Sequence, residues 1–173
     1  KFLKGKILEV GCGIGNFTKS LLDFGDIYAI DIREDYVNRT KKLLRKTNAQ
    51  VGIGDIEKGK YFFKDIKFDN IVCINVLEHI EEDSKAIKNM YEVLNKEGNL
   101  ILLVPAHPFL FGEIDKSIGH FRRYSKNEII INLRNQTSIP GIFSAVDVTD
   151  VPEKQIIIAA GEGSKALLSA FHY

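Results

Sequence analysis

Cysteine is scarce in this chain, and the two that occur, Cys12 and Cys73, are too few for a disulfide framework or a cysteine metal cluster. That scarcity fits a reducing, cytoplasmic setting. No charge of one sign prevails: 24 basic residues face 23 acidic ones, a formal net charge of +1. Nothing in that balance favours nucleic acid or an anionic membrane surface as a partner. No apolar run reaches the ~18 residues that a membrane-spanning helix needs, so no integral membrane segment is expected. A secretory leader pattern is missing, as is an initiator Met before Lys1, and the chain reads as a piece of a longer or processed protein. Proline is rare, at four residues, and no Pro- or Gly/Ser-rich linker divides the 173 residues.

What is present is enough for a packed core. Hydrophobic residues make up 45% and charged residues 27%, the composition of a globular domain. The charge is unevenly spread. Residues 135–173 hold six charged side chains and a net −2, whereas residues 1–134 carry +3. Deeper burial of the last elements accounts for the shift, as does the joining of two unlike sources.

Along the first part, apolar runs alternate with amphipathic stretches. Strands are expected at Lys6–Val10, Ile27–Ile30, Gln50–Ile53, Asp69–Asn75 and Asn99–Pro105. Helices are expected at Asn16–Phe24, Arg33–Leu44 and Asp83–Leu94. The second should bury Val37, Thr40 and Leu44, and the third Ile87, Met90 and Leu94. Asn95–Gly98 reads as the stop of that third helix. Ser125, with Glu128 three residues on, reads as the cap of a further helix reaching about Leu133. Continuous apolar strands between amphipathic helices imply an α/β fold: a doubly wound, mostly parallel sheet covered on both faces.

The chemistry starts at Glu9-Val-Gly11-Cys-Gly13-Ile-Gly15, between the first strand and the first helix. Glycines there permit positive φ and close approach of a ligand to the backbone. In an open parallel sheet such a loop lies at the carboxyl edge, where ligands bind. A bare tight turn uses the same residues. The spacing is G-x-G-x-G, not the G-x-G-x-x-G of dinucleotide binders. Asp31 closes the second strand, where a carboxylate can accept both hydroxyls of a ribose. Asp55 and Ile56 follow the third, a polar and apolar pair suited to an adenine. Taken singly, each acid is equally a helix cap or a solvated loop residue. Taken together, they outline an adenosine site.

The stretches Ile7–Gly15, Ala29-Ile-Asp31, Gly54-Asp55, Asn75-Val-Leu-Glu-His79, Val104-Pro-Ala-His107 and Gly119-His-Phe-Arg-Arg-Tyr124 resemble class I S-adenosylmethionine-dependent methyltransferases. The likeness runs over about residues 1–134. It implies a Rossmann-like fold, here truncated at its carboxyl-terminal strands. It implies S-adenosylmethionine as cofactor, held by Glu9, Gly11, Cys12, Gly13, Gly15, Asp31, Ile32, Asp55, Ile56, Asn75 and Val76. Gly11, Gly13 and Gly15 would border the methionine part, Glu9 its amino end, Asp31 the ribose, and Asp55 with Ile56 the adenine. If the acceptor must lose a proton, a base is required. His79, His120 and Tyr124 are the catalytic candidates, with His107 and Asp115 beside them. Arg122 and Arg123 could fork onto an anionic acceptor or onto a neighbouring carboxylate. After the fourth strand the chain lacks the prolines and aromatic of exocyclic-amino DNA methyltransferases, and no Pro-Cys pair offers a nucleophile to cytosine. A small-molecule or lipid-linked acceptor is therefore expected. Metal ligation is not expected, and the oligomeric state is left open.

Residues 135–173 resemble the carboxyl-terminal end of thioredoxin-reductase-like flavoproteins. In those proteins a Gly-Asp closes a strand beside the flavin. Asp147 matches, but Val146 stands where the glycine belongs, which disfavours flavin contact. The chain then reads as a chimera, with domains 1–134 and 135–173. Strand 141–148 should pair beside the fifth strand or at the nearby edge, and helix 154–171 should cover a face. Two further readings stay open: a fragment of an FAD- or NAD(P)-linked oxidoreductase, and a cofactor-binding hybrid without turnover.

Overall fold

A computed structural model describes residues 3–125 and 142–145. The expected helices at 125–133 and 154–171, the division at 134/135, and Val146 and Asp147 lie outside the described residues, apart from Ser125 at the first helix's start.

Among the described residues six strands form one sheet: β1 Lys6–Val10, β2 Asp26–Asp31, β3 Gln50–Ile53, β4 Phe68–Ile74, β5 Leu94–Leu103 and β6 Ile142–Ala145, in the order β3-β2-β1-β4-β5-β6. β1 pairs in parallel with β2 and with β4, and β2 in parallel with β3. The chain steps outward from β1 to β3 and then returns to the other side of β1 at β4. Ligands bind in such sheets outside the carboxyl ends of the strands, at this reversal. Strand β6 stands next to β5.

Helices α1 Asn16–Leu21, α2 Glu34–Leu43, α3 Asp83–Val93 and α4 Glu113–Ser117 fill the connections. Contacts divide the chain into two units, Leu3–Cys73 with Glu82–Leu100, and Ile74–Glu81 with the segment from Ile101 onward.

In the first unit both faces of the sheet are covered. On one, α2 buries Val37, Thr40 and Leu44, and Val37 and Leu44 pack with Cys12, Ala29 and Val51. Neighbouring strand residues point to opposite faces, so Tyr28 points away from Ala29. Its ring meets Phe68 at 5.3 Å, edge to face, and Phe63 at 6.2 Å. Helix α3 buries Ala86 and Met90, with Ile87 and Leu94 only half-buried. It is tied to the loop after β3 by Asn89, whose Nδ2 donates to the carbonyls of Ile56 and Glu57 at 2.7 and 3.0 Å.

Two expectations need correction. β5 begins at Leu94, directly off α3, and not at the expected Asn99. Asn95, Lys96 and Glu97 are exposed there, so the strand starts on polar residues without an apolar signal. Helix α1 stops at Leu21, before Phe24.

In the second unit, Asn75 adopts a left-handed backbone (φ 51°) as the chain leaves β4, a conformation Asn tolerates better than most residues. A single 3-10 turn, Leu77–His79, follows.

Candidate functional site

The glycine loop is held by three sets of bonds within the first unit. The N–H groups of Gly11 and Cys12 both donate to the Ile30 carbonyl, at 2.8 and 3.0 Å. The Thr40 hydroxyl donates to the Gly13 carbonyl at 2.9 Å. Asp31 Oδ2 accepts the Gly13 N–H at 2.9 Å, and its Oδ1 accepts the Arg33 N–H at 2.9 Å. Asp31 thus clamps the loop to the end of β2, and each of its oxygens keeps a lone pair for a further donor.

Glu9 lies beneath this loop, 4% exposed. Its Oε2 has no hydrogen-bond partner. Burial, with the Asp31 charge adding to it, raises the carboxyl pKa to about 7. Cys12 is buried too, and burial, with Glu9 and Asp31 nearby, raises its thiol to about 12. A thiol so held is no nucleophile at neutral pH. Ile32 is 71% exposed beside Asp31. After β3, Asp55 takes the Lys58 N–H on Oδ1 at 3.0 Å and the Lys58 ammonium on Oδ2 at 3.1 Å. Ile56 is buried. Glu9, Gly11, Cys12, Gly13, Gly15, Asp31, Ile32, Asp55 and Ile56 therefore all belong to one unit, at or near the carboxyl edge of β1–β3. Asn75 and Val76 belong to the other unit.

The residues fit an S-adenosyl ligand on two observations. One oxygen of the buried Glu9 carboxyl, Oε2, has no hydrogen-bond partner and can accept from a cationic donor. At Gly13 (φ 52°) a Cβ would meet nothing within 4 Å, so the loop presents open space there.

The second unit assembles the remaining candidates. His79 and His120 meet edge to face, with ring centroids 4.5 Å apart. Asp115 Oδ1 accepts from Arg123 Nε at 2.8 Å and stands 3.1 Å from His120 Nδ1. Its Oδ2 accepts the Gly112 N–H at 3.0 Å. The Arg123 bond is the main reason that the Asp115 carboxyl is held at about pKa 2. Of the two uses considered for Arg123, the structure shows the carboxylate pairing. Arg122 donates to the Glu81 carbonyl at 2.7 Å. Tyr124 is buried; its main chain bonds to Pro105 and His107. His107 has a left-handed backbone (φ 63°).

Sequence reasoning gave no role to Thr40 beyond packing or to Glu78. A threonine on the apolar stripe of α2 was the available signal for a bond to the loop. Glu78 carried none, because glutamate is rarely buried; here it is 1% exposed.

Residues 8–102 match the methyltransferase domain family. N-methyltransferase NodS from Bradyrhizobium japonicum WM9, solved with S-adenosyl-L-homocysteine, is 25% identical with a TM-score of 0.58, over 69% of this chain and 60% of that one. An S-adenosylmethionine-dependent methyltransferase from Clostridium acetobutylicum shares the fold at 21% identity and a TM-score of 0.52, over 58% of this chain and 43% of that one. The flavoprotein likeness is found as well, in part. The F component of alkyl hydroperoxide reductase from Pseudomonas aeruginosa is 49% identical over 71 residues, 41% of this chain and 12% of that protein. The chain thus spans a small fraction of that reductase, while its family match covers more than half of its own length: it belongs to the S-adenosylmethionine-dependent methyltransferase family.

Proposed function

We propose that this chain transfers a methyl group from S-adenosylmethionine to a small-molecule or lipid-linked acceptor. The observation that carries the reading is the glycine loop clamped beside a buried Glu9 whose Oε2 has no partner, with Asp31 at the loop's rim. In this reading Glu9 accepts from the ligand's ammonium group, and the open side of the loop at Gly13 borders its methionine part. Asp31 takes the ribose hydroxyls on its remaining lone pairs, and Asp55 and Ile56 frame the adenine.

The bound sulfonium supplies an activated methyl group, displaced in line by the acceptor. The protein's share is alignment and exclusion of water. His79, His120 or Tyr124 would take a proton where the acceptor carries one. The near-neutral charge balance of the chain, +1 in all, supports this acceptor class over nucleic acid.

Calorimetric titration with S-adenosylhomocysteine, FAD and NADH tests this. Stoichiometric binding of S-adenosylhomocysteine alone is the expected result. Binding of FAD alone would instead favour the reductase reading that the 71-residue likeness supports. Asp31→Ala should weaken S-adenosylhomocysteine binding by about 1–3 kcal/mol, the cost of losing a charged hydrogen-bond partner. Unchanged affinity would remove Asp31 from the site.

A further inference from the structure

The turn after β4 and the loop after α4 bring three potential metal ligands together. One donor atom from each of Glu78, His79 and His120 lies within 4.8 Å of the others. The Glu78 side chain is 2% exposed, and its Oε2 has no hydrogen-bond partner. A carboxylate oxygen buried without a partner is costly. Its surroundings would be completed by a proton or a cation.

The two imidazoles indicate which. His79 Nδ1 stands 3.2 Å from the Gly119 carbonyl oxygen. A carbonyl only accepts, so Nδ1 carries the proton and Nε2 keeps its lone pair. His120 Nδ1 stands 3.1 Å from Asp115 Oδ1, and Arg123 and the Gly112 N–H hold Asp115 ionised. An ionised carboxylate also only accepts, so His120 is likewise protonated on Nδ1. Its Nε2 faces Glu78 Oε1 at 3.9 Å. That distance is too long for a hydrogen bond.

A histidine whose second nitrogen donates to a carboxylate or a backbone carbonyl is in the state and orientation of a metal ligand. Both histidines meet that condition, by different partners. Donor atoms around a zinc ion sit ~2.0–2.2 Å from it, so the cluster must contract when it binds, and rotation of the exposed His79 side chain can supply that movement. Two imidazoles and one carboxylate suit zinc, iron(II) or a similar first-row ion. Magnesium and calcium prefer an all-oxygen shell.

We propose that Glu78, His79 and His120 form a three-ligand site for a divalent transition-metal ion, with Asp115 and the Gly119 carbonyl as the outer partners that orient the two rings. The remaining coordination positions are open to water or to an anionic group of an acceptor. Metal binding at this site does not depend on the methyl-transfer reading. If both are right, His79 and His120 are withdrawn as proton acceptors, and a metal-bound water takes that part.

The test uses the full, tag-free chain, stripped with a chelator and titrated with Zn²⁺ by calorimetry and with Co²⁺ by visible absorption. One equivalent of Zn²⁺ and a Co²⁺ spectrum of nitrogen–oxygen ligation are expected. Asp115→Asn should weaken Zn²⁺ binding by ~10–100-fold, and Glu78→Gln by more. His79→Ala, at an exposed side chain, should also lose affinity while circular dichroism shows the fold intact. The proposal is overturned if the folded wild type binds no Zn²⁺, or if binding survives unchanged in both Glu78→Gln and His79→Ala. Because the readout is metal affinity, a chain that binds no S-adenosylhomocysteine can still pass it.

Discussion

Gly15→Val should lower the unfolding free energy by roughly 2–5 kcal/mol, a large share of the ~5–15 kcal/mol that a domain has. Gly15 sits at φ 86°, where a side chain costs about 1–2 kcal/mol. Its Cβ would also lie 2.8 Å from Thr40 Cγ2, 2.9 Å from Thr40 Oγ1 and 3.2 Å from Leu43 Cδ2. Thr40 cannot easily move aside, being fully buried and bonded to the Gly13 carbonyl. Relieving that overlap adds about 1–3 kcal/mol. Gly13→Ala is the matched control. It bears the strain of its backbone angle alone, because nothing stands within 4 Å of the new Cβ. That methyl group projects into the space assigned to the ligand. Urea unfolding should therefore show the larger loss at Gly15, whereas S-adenosylhomocysteine affinity should fall at Gly13 with the fold largely kept. Equal destabilisation by the two substitutions would contradict the arrangement of the loop on α2.

The contrast between these glycines also marks where the sequence was legible. All three loop glycines stand out in the G-x-G-x-G spacing. Only the structure separates Gly15, a packing contact on α2, from Gly13, which opens outward. Strands β1 and β3 were readable to the residue, since each is a short run bounded by glycine. Helix α2 was readable through Val37, Thr40 and Leu44, whose spacing fixes one buried face. The start of β5 was not. Asn95, Lys96 and Glu97 are exposed polar residues followed by a glycine, with no apolar alternation to announce a strand. Helix α4 was missed for a related reason. Glu113–Ser117 has no apolar period and is capped by Asp115 reaching back to the Gly112 N–H.

The second unit was legible as a set of residue types, not as an arrangement. His79, Asp115, His120, Arg123 and Tyr124 were all visible as polar or aromatic groups near motifs. Which of them touch was not. The pairing of Asp115 with His120 and Arg123, 5 and 8 residues further along, follows from α4 and its loop folding back. Glu78 went unread because its burial depends on that same loop: Phe121 donates its N–H to the Glu78 carbonyl at 2.8 Å.

Glu9→Gln should flatten the pH dependence of stability and make the ligand-free protein more stable above neutrality. The Glu9 carboxyl sits at a pKa of about 7 when folded, against an ordinary value of 4.5. Between those values the folded chain keeps a proton that the unfolded chain has released. The folded state then binds more protons, so stability falls as pH rises. Below about pH 4.5 there is no penalty. Above about pH 7 both states are ionised and the full cost is present, about 3 kcal/mol at most. Gln fills the same volume and does not titrate, so the variant escapes that cost. Glu78, also raised by burial to about 7, contributes a slope of the same sign in both proteins, and the difference between them isolates Glu9. Urea unfolding at about pH 5 and about pH 8 reads the effect: the two proteins should be close at the lower pH and diverge at the higher. Parallel pH profiles would show that Glu9 is not the strained, ionised group that its burial implies. Saturating S-adenosylhomocysteine adds a second expectation. An ammonium group beside Glu9 would favour the carboxylate, so the ligand should flatten the wild-type profile and leave that of Glu9→Gln unchanged in shape. A ligand that stabilises both proteins equally at every pH would place its amino end away from Glu9.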